Sequence, residues 1–397
     1  MDRVNVMHML GLTQAYGVER QLLDHLKFAS LSPNGIRHYV CALKISDDMR
    51  LELEALHVPF IVNNLRTPWK VWSFSHYVRK NKIDILHAHN LLRYPIRTRI
   101  IPKLTGIPNV LEHERGMVWN RCPALLVRLT NGLSDNHICN SQAAKIMLKH
   151  KCNIEATVVH NGIKIPELKK PGDVQKILED LALSPVDKVV GFVGRLNTPK
   201  GVPAYIKMVP IVRRQYPDAK FLIVGDGPMR QELEQYADSL GVRKDITFLG
   251  FRKDARTIMK LMDVVVVPSI REPFGNVVIE AAFAQKPVVA SCVDGLAETI
   301  VDGKTGFLVD CTEVALQRSR KGISRLPSCV VEGRDGKTRP PLLPNTEQLA
   351  ERVIKCLGAP EEARQMGLNA YQRAKEYFSL ERYRNDLDHI YRQMVNR

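Results

Sequence analysis

Apolar positions along this chain fall into two blocks in which short β-branched runs alternate with longer amphipathic stretches. In the clearer block, runs at 188–193, 221–224, 246–249, 264–267, 287–291 and 306–309 read as strands, most of them meeting Gly or Pro. Helical spacing fills the gaps at 203–215, 229–240, 255–262 and 276–285. Strands alternating with helices of this length predict right-handed βαβ units and a parallel sheet covered on both faces. The first block repeats the pattern more faintly, with strands at 4–9, 37–43, 83–87, 109–112 and 137–139 and a helix at 19–28 after a loop holding Gly11 and Gly17. The fold class predicted is α/β, two Rossmann-like domains facing a cleft, with ligands at the carboxyl ends of the strands.

The stretch 166–187, with Pro166, Pro171, Gly172 and Pro185, reads as the connection between them. The expected division is a first domain over 1–170, a linker over 171–187 and a second domain over 188–379. Residues 311–345 break the pattern: seven Lys or Arg, three Asp or Glu, three Gly and four Pro with little periodicity. They read as a basic surface insertion, partly disordered. The end of the chain, 349–397, is helical with a break at 358–360.

Composition narrows the class. A chain of 397 residues, 45% hydrophobic and 25% charged, fits about two globular domains and excludes disorder for most of its length. No stretch approaches the roughly 18 apolar residues of a membrane span. The start carries Asp2 and is polar again by Thr13, a poor signal peptide. Eight cysteines, at 41, 122, 139, 152, 292, 311, 329 and 356, show no C-x-x-C spacing. They predict reduced thiols of a cytoplasmic protein, neither a disulfide frame nor a zinc site.

Charge is less ordinary. Lys plus Arg number 58 against 42 acidic residues, a net of +16; residues 1–170 alone hold 24 basic and 13 acidic. A field of this sign attracts nucleic acid, anionic membrane or phosphorylated substrates. No aromatic RNA platform or recognition-helix motif accompanies it, so no nucleic-acid partner is expected. Nor does either domain carry G-x-G-x-x-G after its first strand, which argues against a dinucleotide dehydrogenase.

The most specific stretch is SIREPFGNVVIEAA (269–282). A strand ends at Pro268, a loop carries Glu272, and Gly275-Asn276 opens a helix. Such a helix start favours an anionic group, and Glu280, little more than a turn further on, can accept paired hydrogen bonds from a ribose diol. A second strand end, GRLNTPKG (194–201), offers Arg195 as a fork for phosphate oxygens and Lys200 as a compact charge.

With these patches in view, residues 189–310 resemble the donor-nucleotide domain of the retaining GT-B glycosyltransferases of family 4. The matching runs are GFVGRLNTPKG, FLIVGDGP, ITFLGF, VVVVPSIREPFGNVVIEAAFAQKPVVAS and DGLAETIVDGKTGFLV, in the family's order. Thinner matches run through IDILHAHN (83–90), the His113 region, HICNSQAAK (137–145), VVHNGI (158–163) and the helix after FSLERY (378–383), which in the family packs back on the first domain from about 380 to 397. The resemblance implies that Arg195 and Lys200 hold the donor diphosphate and that Glu280 binds the ribose. Glu272, with the main chain of Phe274, Gly275 and Asn276, would bind the donor sugar; main chain near Gly250, Phe251 and Arg252 would meet the base. His113 would stand near the anomeric centre, and Gly17 would lie in the loop approaching donor and acceptor. Two departures stand out: Tyr16 replaces the first glycine of that loop, and Gln285 stands where glycine is common.

The reaction implied is transfer of a sugar from a nucleoside-diphosphate sugar to a saccharide or lipid-linked saccharide, in cell-surface polysaccharide or lipopolysaccharide synthesis. Retention by front-side attack is implied, without metal or other cofactor. Positive charge and dipoles at the phosphates would stabilise the leaving group. The one Asp-x-Asp triplet, Asp386-Leu387-Asp388, lies in the final helix and reads as coincidence. A GT-B-fold sugar-nucleotide epimerase is the alternative. For the acceptor side, Trp69 and Trp72 with Arg66, Lys70, Arg79, Lys80 and Lys82 form one basic aromatic cluster; Arg93, Arg97, Arg99 and Lys103 form another. They read either as peripheral contact with an anionic membrane, at its inner face, or as a solvated helix face over core tryptophans.

Overall fold

The computed structural model describes residues 3–13, 17–31, 34–116, 123–165, 171–314 and 326–396. It divides into two compact units, Met1–Lys164 with Phe378–Arg397, and Ile165–Tyr377. Each is an α/β unit built on a parallel sheet.

In the first unit the described strands are β1 (Val4–Leu12), β2 (Ile36–Ile45), β3 (Phe60–Val62), β4 (Ile85–His89), β5 (Asn109–Glu114), β6 (Asn136–Cys139) and β7 (Thr157–Val158). They are ordered β3-β2-β1-β4-β5-β6-β7 and every pairing is parallel. The two edge strands, β3 and β7, were not foreseen from the pattern. At three and two residues they are too short for alternation to register.

The second unit holds β8 (Val189–Val193), β9 (Lys220–Val224), β10 (Ile246–Gly250), β11 (Val264–Val267), β12 (Val288–Ser291) and β13 (Phe307–Val309). Their order is β10-β9-β8-β11-β12-β13, again all parallel. The four valines of β11 are all buried because helices cover both faces, which is why the strand carries no polar alternation. The sheet faces divide into two apolar clusters, one with Tyr205, Val209 and Leu349, the other with Met259, Met262 and Ala281.

Two expectations need correcting here. The predicted linker 171–187 contains a helix, Pro171–Asp180, whose Ile177 is buried in the second of those clusters. Pro171 stands at its first residue, where a missing N–H costs nothing. The insertion, expected as a basic surface segment and partly disordered, carries strand pairs in its described part: β14 (Cys311–Val314) pairs antiparallel with β17 (Leu342–Pro344), and β15 (Val330–Val331) with β16 (Thr338–Arg339). Val330 and Val331 are buried. Residues 315–325 of the stretch lie outside the described residues.

The last helix, Leu380–Val395, returns to the first unit. Leu380, Tyr383, Leu387, Ile390, Tyr391 and Met394 repeat at helical spacing and bury against Val4, Val6, Ile85 and Leu111. Each such side chain contributes about 1.5–3 kcal/mol on burial. The Ser379 hydroxyl caps the helix by accepting the Arg382 N–H, and the Ile163 N–H donates to the Phe378 carbonyl at 2.9 Å. The Asp386 and Asp388 carboxylates pair with Arg382 and Arg384 of the same helix. Contact is closest at Gly162, where a β carbon would stand 2.3 Å from Tyr383 Cβ and 2.8 Å from the Ser379 carbonyl oxygen. Gly162→Ala should therefore destabilise the first unit by about 1–3 kcal/mol, read as a lowered midpoint in urea denaturation.

Candidate active site

The corner predicted to carry the chemistry is built where the loops after β8 and β11, neighbouring strands, run into each other. The turn Thr198–Lys200 ends at Gly201, with φ +63°. A β carbon at Gly201 would lie 1.8 Å from the Pro268 carbonyl oxygen, so only glycine admits this approach. The Ile270 N–H donates to the Pro199 carbonyl at 2.9 Å and fixes the register of the two loops. As a result Lys200 Nζ stands 2.5 Å from Glu272 Oε2, and the Ser269 hydroxyl reaches the same oxygen at 3.1 Å. Glu272 is buried, and its N–H donates to Asp294 Oδ2 at 3.1 Å. Sequence reasoning brought Lys200 and Glu272 to one crevice and missed Ser269 and Asp294 as partners. The helix Asn276–Phe283 starts immediately after, with Gly275 as its N-cap at φ +97°. Its positive end is directed at the same corner. Phe274 is buried, so its ring belongs to the core and only its main chain can serve a ligand.

Other candidates are occupied in ways the sequence did not show. Glu280 Oε1 accepts from Arg256 Nη2 at 2.8 Å and Nε at 3.1 Å, a fork supplied by the helix Ala255–Met259. Arg252 is clasped by Asp254 through Nε and Nη2, both at 2.8 Å, and this bond raises the guanidinium pKa further. Arg195 is exposed at the end of β8. In the first unit, Gly17 holds φ +54° and accepts the Gln21 N–H at the start of the helix Val18–Leu31. Tyr16, the departure from the glycine loop, lies outside the described residues.

His113, on β5, is buried among five other histidines: His8, His25, His38, His87 and His89. Four of the six take alternate strand positions otherwise filled by aliphatic residues, in Val4-x-Val6-x-His8, Ile85-x-His87-x-His89 and Leu111-x-His113; His38 stands near the start of β2, and His25 comes from the helix Val18–Leu31. His8 Nδ1 meets His89 Nε2 and His8 Nε2 meets His38 Nδ1, each at 3.0 Å, with ring centroids 5.3 Å and 5.2 Å apart. Those separations are the nitrogen gap plus a ring radius on each side, so the nitrogens point head-on and share a proton. Two triplets, His8 with His25 and His38 and His8 with His87 and His89, also bring ring nitrogens within 4.8 Å of one another, near enough to ligate a metal ion. His113 Nδ1 meets His87 Nε2 at 3.1 Å, His87 Nδ1 meets the Tyr391 hydroxyl at 2.6 Å, and the Arg115 Nε–H donates to His113. Burial, then neighbouring positive charge, holds His8, His25, His87, His89 and His113 well below the ordinary imidazole pKa; His38 falls to about 4. His113 is therefore a neutral hydrogen-bonding group.

Comparison with known proteins now decides the family. Residues 187–319 match the family of glycosyl transferases group 1, and residues 16–165 match glycosyltransferase family 4. The chain is a group 1 glycosyltransferase. An uncharacterized glycosyltransferase of Methanocaldococcus jannaschii is 31% identical over 58% of this chain and 63% of its own length. The Escherichia coli UDP-Gal:alpha-D-GlcNAc-diphosphoundecaprenol alpha-1,3-galactosyltransferase is 24% identical over 79% of this chain and 86% of its own. In fold, the chain is similar to the Anabaena protein HepE solved with UDP and glucose. That likeness has a TM-score of 0.74 at 20% identity and covers 98% of this chain and 99% of HepE. The group 1 glycosyltransferase thus has the GT-B fold, and nothing in these matches favours the epimerase reading.

The first-unit surface of this glycosyltransferase also differs from expectation. Arg99 is fully buried, with Nε 3.0 Å and Nη2 2.5 Å from Glu112 Oε2 and Nη1 donating to the Val127 carbonyl at 2.6 Å. Lys103 is tied to Asp135 at 2.7 Å. Both drop out of the proposed basic cluster, Arg99 because its charge is matched inside the fold. Trp69 and Trp72, by contrast, are 82% and 68% exposed, so neither is a core tryptophan.

The histidine array generates a pH prediction. Each of these imidazoles is neutral when folded and takes a proton near pH 6.5 when unfolded, so its contribution is complete above about 6.5 and is lost as pH falls through the folded value. Denaturant unfolding of the first unit should weaken between pH 6.5 and 4. The slope should exceed the roughly 1.4 kcal/mol per pH unit that one proton gives.

Proposed function

We propose that this glycosyltransferase moves a sugar from a nucleoside-diphosphate sugar to a saccharide or lipid-linked saccharide, with retention at the anomeric carbon, in assembly of a cell-surface polysaccharide or lipopolysaccharide. The observation that carries the reading is the Lys200–Glu272 pair, 2.5 Å apart at adjoining strand ends beside the helix start at Gly275. The donor diphosphate would draw Lys200 and the exposed Arg195 to its oxygens and release the Glu272 carboxylate to a sugar hydroxyl. Glu280 would accept from the ribose diol while keeping Arg256.

Breaking the anomeric C–O bond leaves negative charge on the departing diphosphate and oxocarbenium character on the sugar. Lys200, Arg195 and the helix dipole are fixed positive partners for the first, in a reaction that needs no metal ion. In front-side attack the acceptor hydroxyl bonds to the anomeric carbon on the face the diphosphate leaves, and its proton passes to a donor phosphate oxygen. His113, neutral beside Arg115, would orient a hydroxyl and not deliver a proton. HepE with UDP and glucose, and an E. coli relative whose name gives a UDP-galactose donor and a lipid-linked acceptor, support this class of donor and acceptor.

Thermal unfolding with UDP, GDP, ADP and CDP in turn, with and without EDTA, tests the reading. One diphosphate at about 100 times its Kd should stabilise the second unit by roughly 2.7 kcal/mol, EDTA should leave the shift intact, and Glu280→Ala and Arg195→Ala should abolish it. Absence of any shift would remove the donor site.

The membrane contact rests on the helix Pro68–Lys80. Phe74 and Val78 are buried on its inner face, while Trp69, Trp72, Lys70, Arg79 and Lys80 stand outward. Aromatic rings ringed by cations suit an anionic lipid interface. Trp69→Ala with Trp72→Ala should weaken cosedimentation with phosphatidylglycerol vesicles roughly tenfold or more. Unchanged cosedimentation would sink the membrane contact.

A further inference from the structure

The 311–345 stretch, outside the family motifs, reaches the glutamate corner through one buried side chain. Strand β15 lies against segment 292–295. The Asp294 N–H donates to the Val331 carbonyl at 2.9 Å, the Val331 N–H donates to Asp294 Oδ1 at 2.8 Å, and Val293 bridges Glu332 in antiparallel register. On its other side the same carboxylate accepts the Glu272 N–H at Oδ2, 3.1 Å, while the Gly295 N–H donates to the Glu272 carbonyl at 3.1 Å. The approach is tight: a β carbon at Gly295 would stand 2.4 Å from the Pro273 carbonyl oxygen. Asp294 is 2% exposed and holds φ +47°, a backbone region that a residue with a β carbon rarely enters. Burial raises its pKa to about 7, against the pull of the two N–H donors.

A buried carboxylate with one oxygen on each of two segments is a clamp. We infer that Asp294 is a positioning residue that locks the 272–275 corner to the insertion, so that the insertion governs how Glu272 meets the donor sugar. The inference rests on the donor-site reading above for its consequence, but not for the lock itself. Backbone strain at Asp294 would be relieved by glycine, so the carboxylate is held there by what it bonds.

Two variants separate the lock from folding. Asp294→Gly removes the carboxylate and relaxes the positive φ; Val331→Pro keeps the carboxylate and removes the insertion's N–H together with the buried valine side chain. Hydrogen exchange at the amides of 272–276 in the ligand-free chain should rise about tenfold or more in both, with β8 and β11 amides unchanged. Unchanged exchange at the corner overturns the inference, as does a uniform rise across the second unit, which would mark a merely structural residue. The second arm compares binding of UDP with UDP-glucose, and of GDP, ADP and CDP with their glucose conjugates. The variants should lose about tenfold in affinity for the sugar conjugate while holding the free diphosphate as the wild type does. Equal loss on both ligands, or a conjugate that the wild type holds no tighter than its diphosphate, overturns the consequence for the sugar. If the wild type binds no diphosphate at all, the donor-site reading fails by itself and the exchange result still decides the lock.

Discussion

Main chain meeting main chain at Gly201 and Pro268 is the constraint on which the second unit's site depends. A side chain of any size at 201 would push the loop after β8 off the loop after β11, and the 1.8 Å that a β carbon would leave shows how little room there is. Because the two strands are neighbours in the sheet, their loops leave in the same direction, and the contact turns that proximity into a fixed spacing between Lys200 and Glu272. Everything further follows from it. Ser269 lies close enough to share Glu272, the helix at Gly275 begins within the same corner, and segment 294–296 closes behind it.

This also explains which parts could be read from sequence. The second unit was legible because its strands are buried on both faces: an unbroken Val264–Val267 bounded by Asp263 and Pro268 has few other fates. The glutamate corner was legible as a strand-loop-helix motif, since Glu272, Gly275 and Glu280 are close in the chain. The partners were not, because Arg256, Asp294 and Ser269 are brought in by tertiary contact or by a hydroxyl that any loop might carry. Short edge strands and the helix Pro171–Asp180 were lost for a different reason. Their stabilisation comes from the sheet or core they join and not from their own pattern. For the histidines a signal was present, in three strands where imidazole takes one or two of the alternate positions otherwise held by aliphatic residues. It is visible only when the strands are read side by side.

The first unit deals with buried charge in two ways. Arg99 is matched by the Glu112 carboxylate, and the Val127 carbonyl and the Thr130 hydroxyl accept from its Nη1. Arg115 pairs with no carboxylate among the described residues; it donates to His113, to Gln21 at 3.1 Å and to the Tyr383 hydroxyl. A cation held by neutral acceptors makes protonation of any adjacent imidazole still more costly, which reinforces the burial that keeps the array neutral. Neutral imidazoles can each accept and donate once, so the row from His38, near the start of β2, through His8, in the middle of β1, to His89, at the end of β4, ties three neighbouring strands together.

Glu272 is asked to do several things at once, and their order has a consequence for the donor. Before donor arrives its carboxylate belongs to Lys200 and Ser269, and its N–H to Asp294. A neutral sugar hydroxyl is the weaker partner for that carboxylate, since the ammonium adds the attraction of opposite charges to its hydrogen bond. A diphosphate can compete for Lys200, because it offers the ammonium more negative charge than Glu272 does. On the donor-site reading the phosphates therefore open the pair, and only then does Glu272 become an acceptor for the sugar. Recognition of the two halves of the donor is coupled through one lysine. The main-chain bonds to Asp294 keep the glutamate in place while its side chain changes partners.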